Sequence, residues 1–172
     1  MIMKKTSFLS LFVLTALSFT LPQAMAADLP EGILVTTAPS GAVAVAAARK
    51  ETAKAGTEIV LRGRIGGRMT SLIDKAAIAV LADEKAITAC NAMPGDTCAT
   101  PWDYCCETPE KLKASIATIQ VRGADGKIVK APLRGLGGLK ELSTVVVKGT
   151  VDAASGKDAL IVNVTQIQVE KK

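Results

Sequence analysis

Residues Thr57 to Ile65, T-E-I-V-L-R-G-R-I, decide the fold. Ile59, Leu61, Gly63 and Ile65 fall on one side of an extended chain and Val60, Arg62 and Arg64 on the other. That period of two suits a strand with one face in a core and the other in water. Gly63 within the strand, with Gly66-Gly67 just behind it, predicts a bulge or sharp bend of the kind barrels use to close.

The same signature returns downstream. Ala76 to Ala82, A-A-I-A-V-L-A, is a short apolar run ending at Asp83; Ser115 to Arg122 is a third extended stretch; Thr144 to Val151 and Ala159 to Val169 are long, β-branched and joined by the polar segment 152–158. Asp125-Gly126, between Ile119–Arg122 and Lys127–Val129, predicts a tight hairpin, because both turn positions tolerate positive φ. Leu133 to Leu139, rich in glycine, reads as an irregular crossing. Too little chain separates these segments for parallel βαβ units, so the expected fold is mainly β, a five-stranded antiparallel barrel.

Ahead of the barrel, Ser40 stands at an N-cap position, Gly41 to Ala55 is rich in alanine and charged helix formers, and Gly56 follows as a C-cap. A helix is expected there, with the Val-Ala repeats as the start of a strand the alternative. Residues 27–40 carry two prolines and little periodicity, and are expected to pack loosely or be mobile. At the start, Lys4 and Lys5, the apolar run Phe8 to Leu21 and Ala24-Met25-Ala26 have the order of a signal peptide. Cleavage is expected after Ala26, placing the mature chain in the periplasm or outside the cell. The apolar run is short of the ~20 residues that span a bilayer, so no stable membrane span is expected. The chain thus divides into a leader (1–26), a lead-in (27–40) and one domain (41–172), whose segment 84–114 is an insert.

That insert holds all four cysteines, Cys90, Cys98, Cys105 and Cys106. Because Phe8, Phe12 and Phe19 leave with the leader, it also holds the only mature aromatics, Trp102 and Tyr104. Thr108-Pro109-Glu110 reads as the capped start of a short closing helix. The strand pieces Val60–Gly67, Ala77–Asp83 and Val145–Val151 resemble the OB-fold, in its nucleic-acid-binding-like variety. Cys98 to Cys106, C-A-T-P-W-D-Y-C-C, is similar to an element in a group of exported bacterial OB-fold proteins. The resemblance covers about residues 40–170; it implies an extended ligand such as single-stranded nucleic acid but no particular activity.

An even cysteine count in an exported chain predicts disulfides. Joining Cys105 to Cys106 would require a strained ring, which leaves 90–105 with 98–106, or 90–106 with 98–105. A four-thiolate metal site is the alternative, though the spacing lacks paired C-x-x-C knuckles. Neither metal nor cofactor is therefore expected.

The chain has no histidine, which removes histidine-based triads, histidine metal sites and a near-neutral imidazole. Asp83, Asp96, Asp103, Glu107 and Glu110 read as solvated loop charges, and neither glycine cluster leads into a phosphate-loop Lys-Ser/Thr pair. An enzyme is not expected. The leader takes two lysines from a net charge of +5, and the small excess left points to no partner. Two readings follow. One is a binding module whose face, on the strands at 76–82 and 115–122 between the loops 66–75 and 152–158, holds an extended anionic ligand through Arg62, Arg64, Arg68, Arg122 and Lys148. The other is a structural or protein-interaction domain of the cell envelope, presenting the cysteine loop with Trp102 and Tyr104. The lack of aromatics in the strands weighs against the first, since stacking supplies about 1–3 kcal/mol per base in single-strand binders. Asn163-Val164-Thr165 matches a glycosylation sequon but lies in an expected strand.

Overall fold

The structure, a computed structural model, describes residues 28–51 and 54–171; the leader expected at 1–26 lies outside them. The strands are β1 (Val43–Ala44), β2 (Glu58–Ile65), β3 (Ile78–Ala82), β4 (Ile116–Gln120), β5 (Thr144–Val151) and β6 (Ile161–Val169). They run in the order β1-β2-β3-β4-β6-β5, and β5 pairs back onto β2. β2, β3, β4, β6 and β5 thus close an OB-fold-like barrel, with β1 outside the ring, parallel to β2.

The alternation in β2 has the expected consequence: Leu61 and Ile65 are fully buried, and meet Leu81, Ile119, Val145, Val147, Val162 and Ile167 in one aliphatic core. Each such side chain, taken wholly from water, contributes about 1.5–3 kcal/mol. The β2–β5 ladder runs unbroken from Glu58↔Thr150 to Arg64↔Thr144, so Gly63 is not bulged. Its bareness serves a close approach: a Cβ there would stand 2.6 Å from the Ala82 carbonyl oxygen and 2.8 Å from Leu81 Cγ, so the bare backbone is what lets β3 lie so near. The bulge lies instead between Lys148 and Gly149 of β5, where β6 contributes Thr165 as the extra residue. Four seams of the ring are antiparallel and one, β4–β6, is parallel.

Three expectations need correction. The helix α1 covers Val45–Lys50 only, and Val43–Ala44 upstream form β1. Ser40 does not cap it. Ala44 holds the cap position with no side-chain bond, and the cap arrives from the end of β3, where Asp83 Oδ2 accepts the Ala46 N–H at 2.9 Å. The lead-in is not loose: Ile33 is 5% exposed, Leu34 forms a parallel bridge to Ile167, and Val35 N–H reaches the Ile167 carbonyl at 2.9 Å. The Asp-Gly turn forms, closed by Gly126 N–H to the Gly123 carbonyl at 2.9 Å. Only Gly126 takes positive φ (75°), and the second arm is a single bridge, Arg122↔Ile128. The arm ends there because the Val129 carbonyl turns to accept the Ala77 N–H at 2.8 Å and its side chain enters the core.

Candidate functional site

The insert hangs between β3 and β4 and is tied down at several points. Asp83, only 3% exposed, accepts the N–H groups of Lys85 and Ala86 on Oδ1 at 2.9 and 3.0 Å, in addition to capping α1. At the other end Thr108 Oγ1 accepts the Lys111 N–H at 3.3 Å to start helix α2, Pro109–Ser115, as its sequence predicts. Glu107 accepts from Lys111 Nζ at 2.7 Å and the Thr88 N–H at 2.8 Å; these bonds, the lysine's first, hold its carboxyl below the ordinary range. In the middle, Gly67 N–H donates to the Trp102 carbonyl at 2.8 Å, and Trp102 Nε1–H donates to the Met69 carbonyl at 3.0 Å. Asp96 and Asp103 accept the N–H groups of Cys98 and Cys105 at 3.1 and 2.9 Å. The reading of these carboxylates as solvated charge therefore fails for all but Glu110, because each of the others organises backbone N–H groups in its own loop.

Tyr104 and Trp102, alike by sequence, are placed differently. The Tyr104 ring is fully buried in a second, small cluster with Ala82, Ile87 and Ala89, bordered by Leu112, Ile116 and Leu142. Its backbone is left-handed, φ 60°, as is that of Leu142, φ 63°, a conformation that costs about 1–3 kcal/mol in a residue with a side chain. The ring lies on Gly66, where a Cβ would come within 2.7 Å of Cε2. Its hydroxyl is buried near Arg64 without meeting a hydrogen-bond partner among the described residues, and burial pushes its pKa up. Trp102 is half-buried and lines a groove of about 820 Å³ together with Leu142, Thr144 and Glu170.

The four sulfurs gather beside this cluster. Cys105 Sγ lies 3.5 Å from Cys90 Sγ, 3.4 Å from Cys98 Sγ and 4.0 Å from Cys106 Sγ. A disulfide requires about 2.05 Å, so the expected bridges are not formed and all four cysteines are free. Cys90 is buried, Cys98 intermediate, and Cys105 and Cys106 exposed. Burial raises the Cys90 thiol, but the Cys105 sulfur and the Cys106 N–H more than offset it, and the net direction is down. Cys98, favoured by Cys105 but opposed by Asp96, is pushed up to about 11.

Of the cationic candidates only Arg62 and Arg64 are brought together, on Glu84. Arg62 donates to Glu170 at 2.8 and 2.9 Å and also contacts Glu84; Arg64 reaches Glu84 at 3.3 Å. Arg122 is held by Asp152 and Asn163 at 2.9 and 2.8 Å, and Lys148 pairs with Glu58 at 3.0 Å. Among the five, only Arg68 makes no ion pair within the described residues. It sits on the 66–75 loop, exposed. On the face expected to bind, β3 and β4 present Ile78, Val80, Ile116, Thr118 and Gln120, with no cation and no aromatic. Asn163 of the sequon is bonded to Asp152, Gln120 and Arg122.

Neither a protein-family model nor a curated protein matches the chain. A solved structure to which it is similar is the OBody AM1L10 bound to hen egg-white lysozyme, at 14% identity and a TM-score of 0.40, covering 80% of this chain and 99% of that one. A likeness that distant carries no argument about the site.

Proposed function

We propose that the protein is an exported, non-enzymatic binding module of the cell envelope that recognises another protein through the cysteine loop and the groove beside it. The observation that supports this is the division of the two aromatics. Tyr104 anchors the loop from inside the fold, and Trp102 is left half-exposed on the groove wall with its backbone and indole N–H both fixed. A preordered aromatic lowers the ordering cost of binding, and tryptophan is enriched among residues that dominate interface energies. Export rests on the signal-peptide reading of residues 1–26.

The nucleic-acid reading has less support. Four of the five proposed cations already have carboxylate partners that offset their charge, which weakens the pull on a phosphate. A photo-crosslinking residue at position 102, with one at exposed Lys127 as control, tests the proposal in cells. A discrete protein adduct at 102 alone is the expected result. No adduct, or the same adducts at both positions, would count against it. Retention of the mature protein on single-stranded DNA that falls steeply with salt would restore the nucleic-acid reading.

A further inference from the structure

We infer that Cys90, Cys98, Cys105 and Cys106 form a mononuclear tetrathiolate site for a zinc-class metal ion. The argument begins from the distances. A tetrahedral zinc site has Zn–S bonds of about 2.3 Å, which places its sulfurs about 3.8 Å apart along each edge. The contacts around Cys105 are 3.4, 3.5 and 4.0 Å. They bracket that edge and are far from the disulfide bond length.

The pattern of contacts says the same as their lengths. A disulfide joins sulfurs in exclusive pairs, yet Cys105 has Cys98 and Cys90 at nearly equal distance, and Cys90, Cys105 and Cys106 also lie within 4.8 Å of one another. In a tetrahedral site each sulfur has the other three as near neighbours, and Cys105 has all three, at 3.4, 3.5 and 4.0 Å. An iron–sulfur cube would need its four thiolates spread around a much larger body, so the geometry selects a single ion. A set of four sulfurs and no imidazole selects a thiophilic one.

The surroundings suit such a site. Asp96 and Asp103 hold the backbones of Cys98 and Cys105 in place, the kind of support that orients ligands. Between Asp83 and Thr108 the chain has one 3-10 turn, Cys90–Ala92, and no helix or strand. A segment of that length without helix or strand is uncommon in a compact domain and usually carries a function. Binding is balanced by protons: four Zn–S bonds form as each remaining S–H gives its proton to solvent.

The test uses the full chain purified without chelator, from the envelope and from the cytosol of an expression host. Metal analysis should find about one zinc per chain. Cobalt added to the metal-stripped protein should give the intense sulfur-to-cobalt charge-transfer band and red-region absorption of a tetrahedral thiolate site. In Cys105→Ser and Cys98→Ser the cobalt bands should shift or vanish and the metal content fall. Thiol titration of the wild type, which does not depend on a variant folding, should show four thiols becoming reactive on adding chelator. Metal-free protein with an intact mass four hydrogens below the reduced chain would overturn the site in favour of two disulfides. Unchanged metal content in Cys105→Ser would overturn it as well.

Discussion

The barrel interior and the pocket beneath the cysteine loop are both sealed from water, yet they are made differently. Leu61, Leu81, Ile119, Val145 and Val162 fill the barrel from strands whose backbones are regular. The smaller pocket depends on one large ring, Tyr104. Among the described residues it contains the two non-glycine residues with positive φ, Tyr104 and Leu142, and a buried hydroxyl without a partner. In the barrel, alternating side chains and ladder hydrogen bonds support the same conformation. Beneath the loop, the gain from burying an aromatic must outweigh backbone strain and an unmet donor, and unfavourable local choices of that kind tend to cluster where a fold serves recognition or chemistry.

Removing the principal side chain from each region tests this contrast most strongly. Tyr104→Ala should cost about 3–5 kcal/mol and Leu61→Ala about 2–5, measured by chemical denaturation. Hydrogen exchange should separate them: Leu61→Ala should lower protection throughout the ring, whereas Tyr104→Ala should expose the amides of 84–114 and leave β5 and β6 protected. Equal loss everywhere in Tyr104→Ala would show that the two regions are one cooperative unit.

An intermediate effect is expected from Gly66→Ala. Its Cβ would meet Tyr104 Cε2 at 2.7 Å and the Trp102 carbonyl oxygen at 2.8 Å, and overpacking of this kind costs about 1–3 kcal/mol. The loop should loosen while the barrel stays closed, read again from amide exchange. Trp102→Ala should cost less, about 1 kcal/mol, because the side chain is half-buried and forfeits one hydrogen bond, to the Met69 carbonyl. A drop in melting temperature as large as that of Tyr104→Ala would make Trp102 a packing residue and remove the basis for the proposed recognition surface.

The smallest expected effect is on pH dependence, and it belongs to the barrel. At the β4–β6 seam Asp152 accepts the Ala154 N–H at 2.9 Å, the Asn163 amide at 2.7 Å and Arg122 at 2.9 Å. These bonds, the backbone one first, hold its pKa below the ordinary 3.8 against the opposing effect of burial. With the folded value depressed, its contribution is fully present above pH 3.8 and is lost as pH falls through the folded value. Asp152→Asn should therefore flatten the acid limb of the stability profile; an unchanged limb would show that other carboxylates, such as Glu170 beside Arg62, control it.

Much of the barrel was legible because a strand's signature is local. The alternation in 57–65 marks β2 to within a residue, Thr144–Val151 is β5 as read, and Thr108-Pro109 opens α2 where its capping chemistry predicts. The short α1 was misjudged because its cap is Asp83, far along the chain, and alanine content alone does not set where a helix begins. The lead-in was misjudged for a related reason: Ile33–Val35 has no periodicity to display, and its order comes from Ile167.

By itself, then, the sequence determined the mainly β character, the strand positions, the exclusion of histidine chemistry and the gathering of cysteines and aromatics in one insert. All of these depend on residue type and on spacing along a few neighbouring positions. Only the tertiary structure decided that β4 and β6 meet in parallel, that Arg62 faces Glu170 and Arg122 faces Asp152, that Tyr104 turns inward while Trp102 stays at the groove, and that the other three sulfurs lie 3.4 to 4.0 Å from that of Cys105 instead of bonding in pairs. Those outcomes depend on which distant segments share the space left when the ring closes, and no local pattern encodes that.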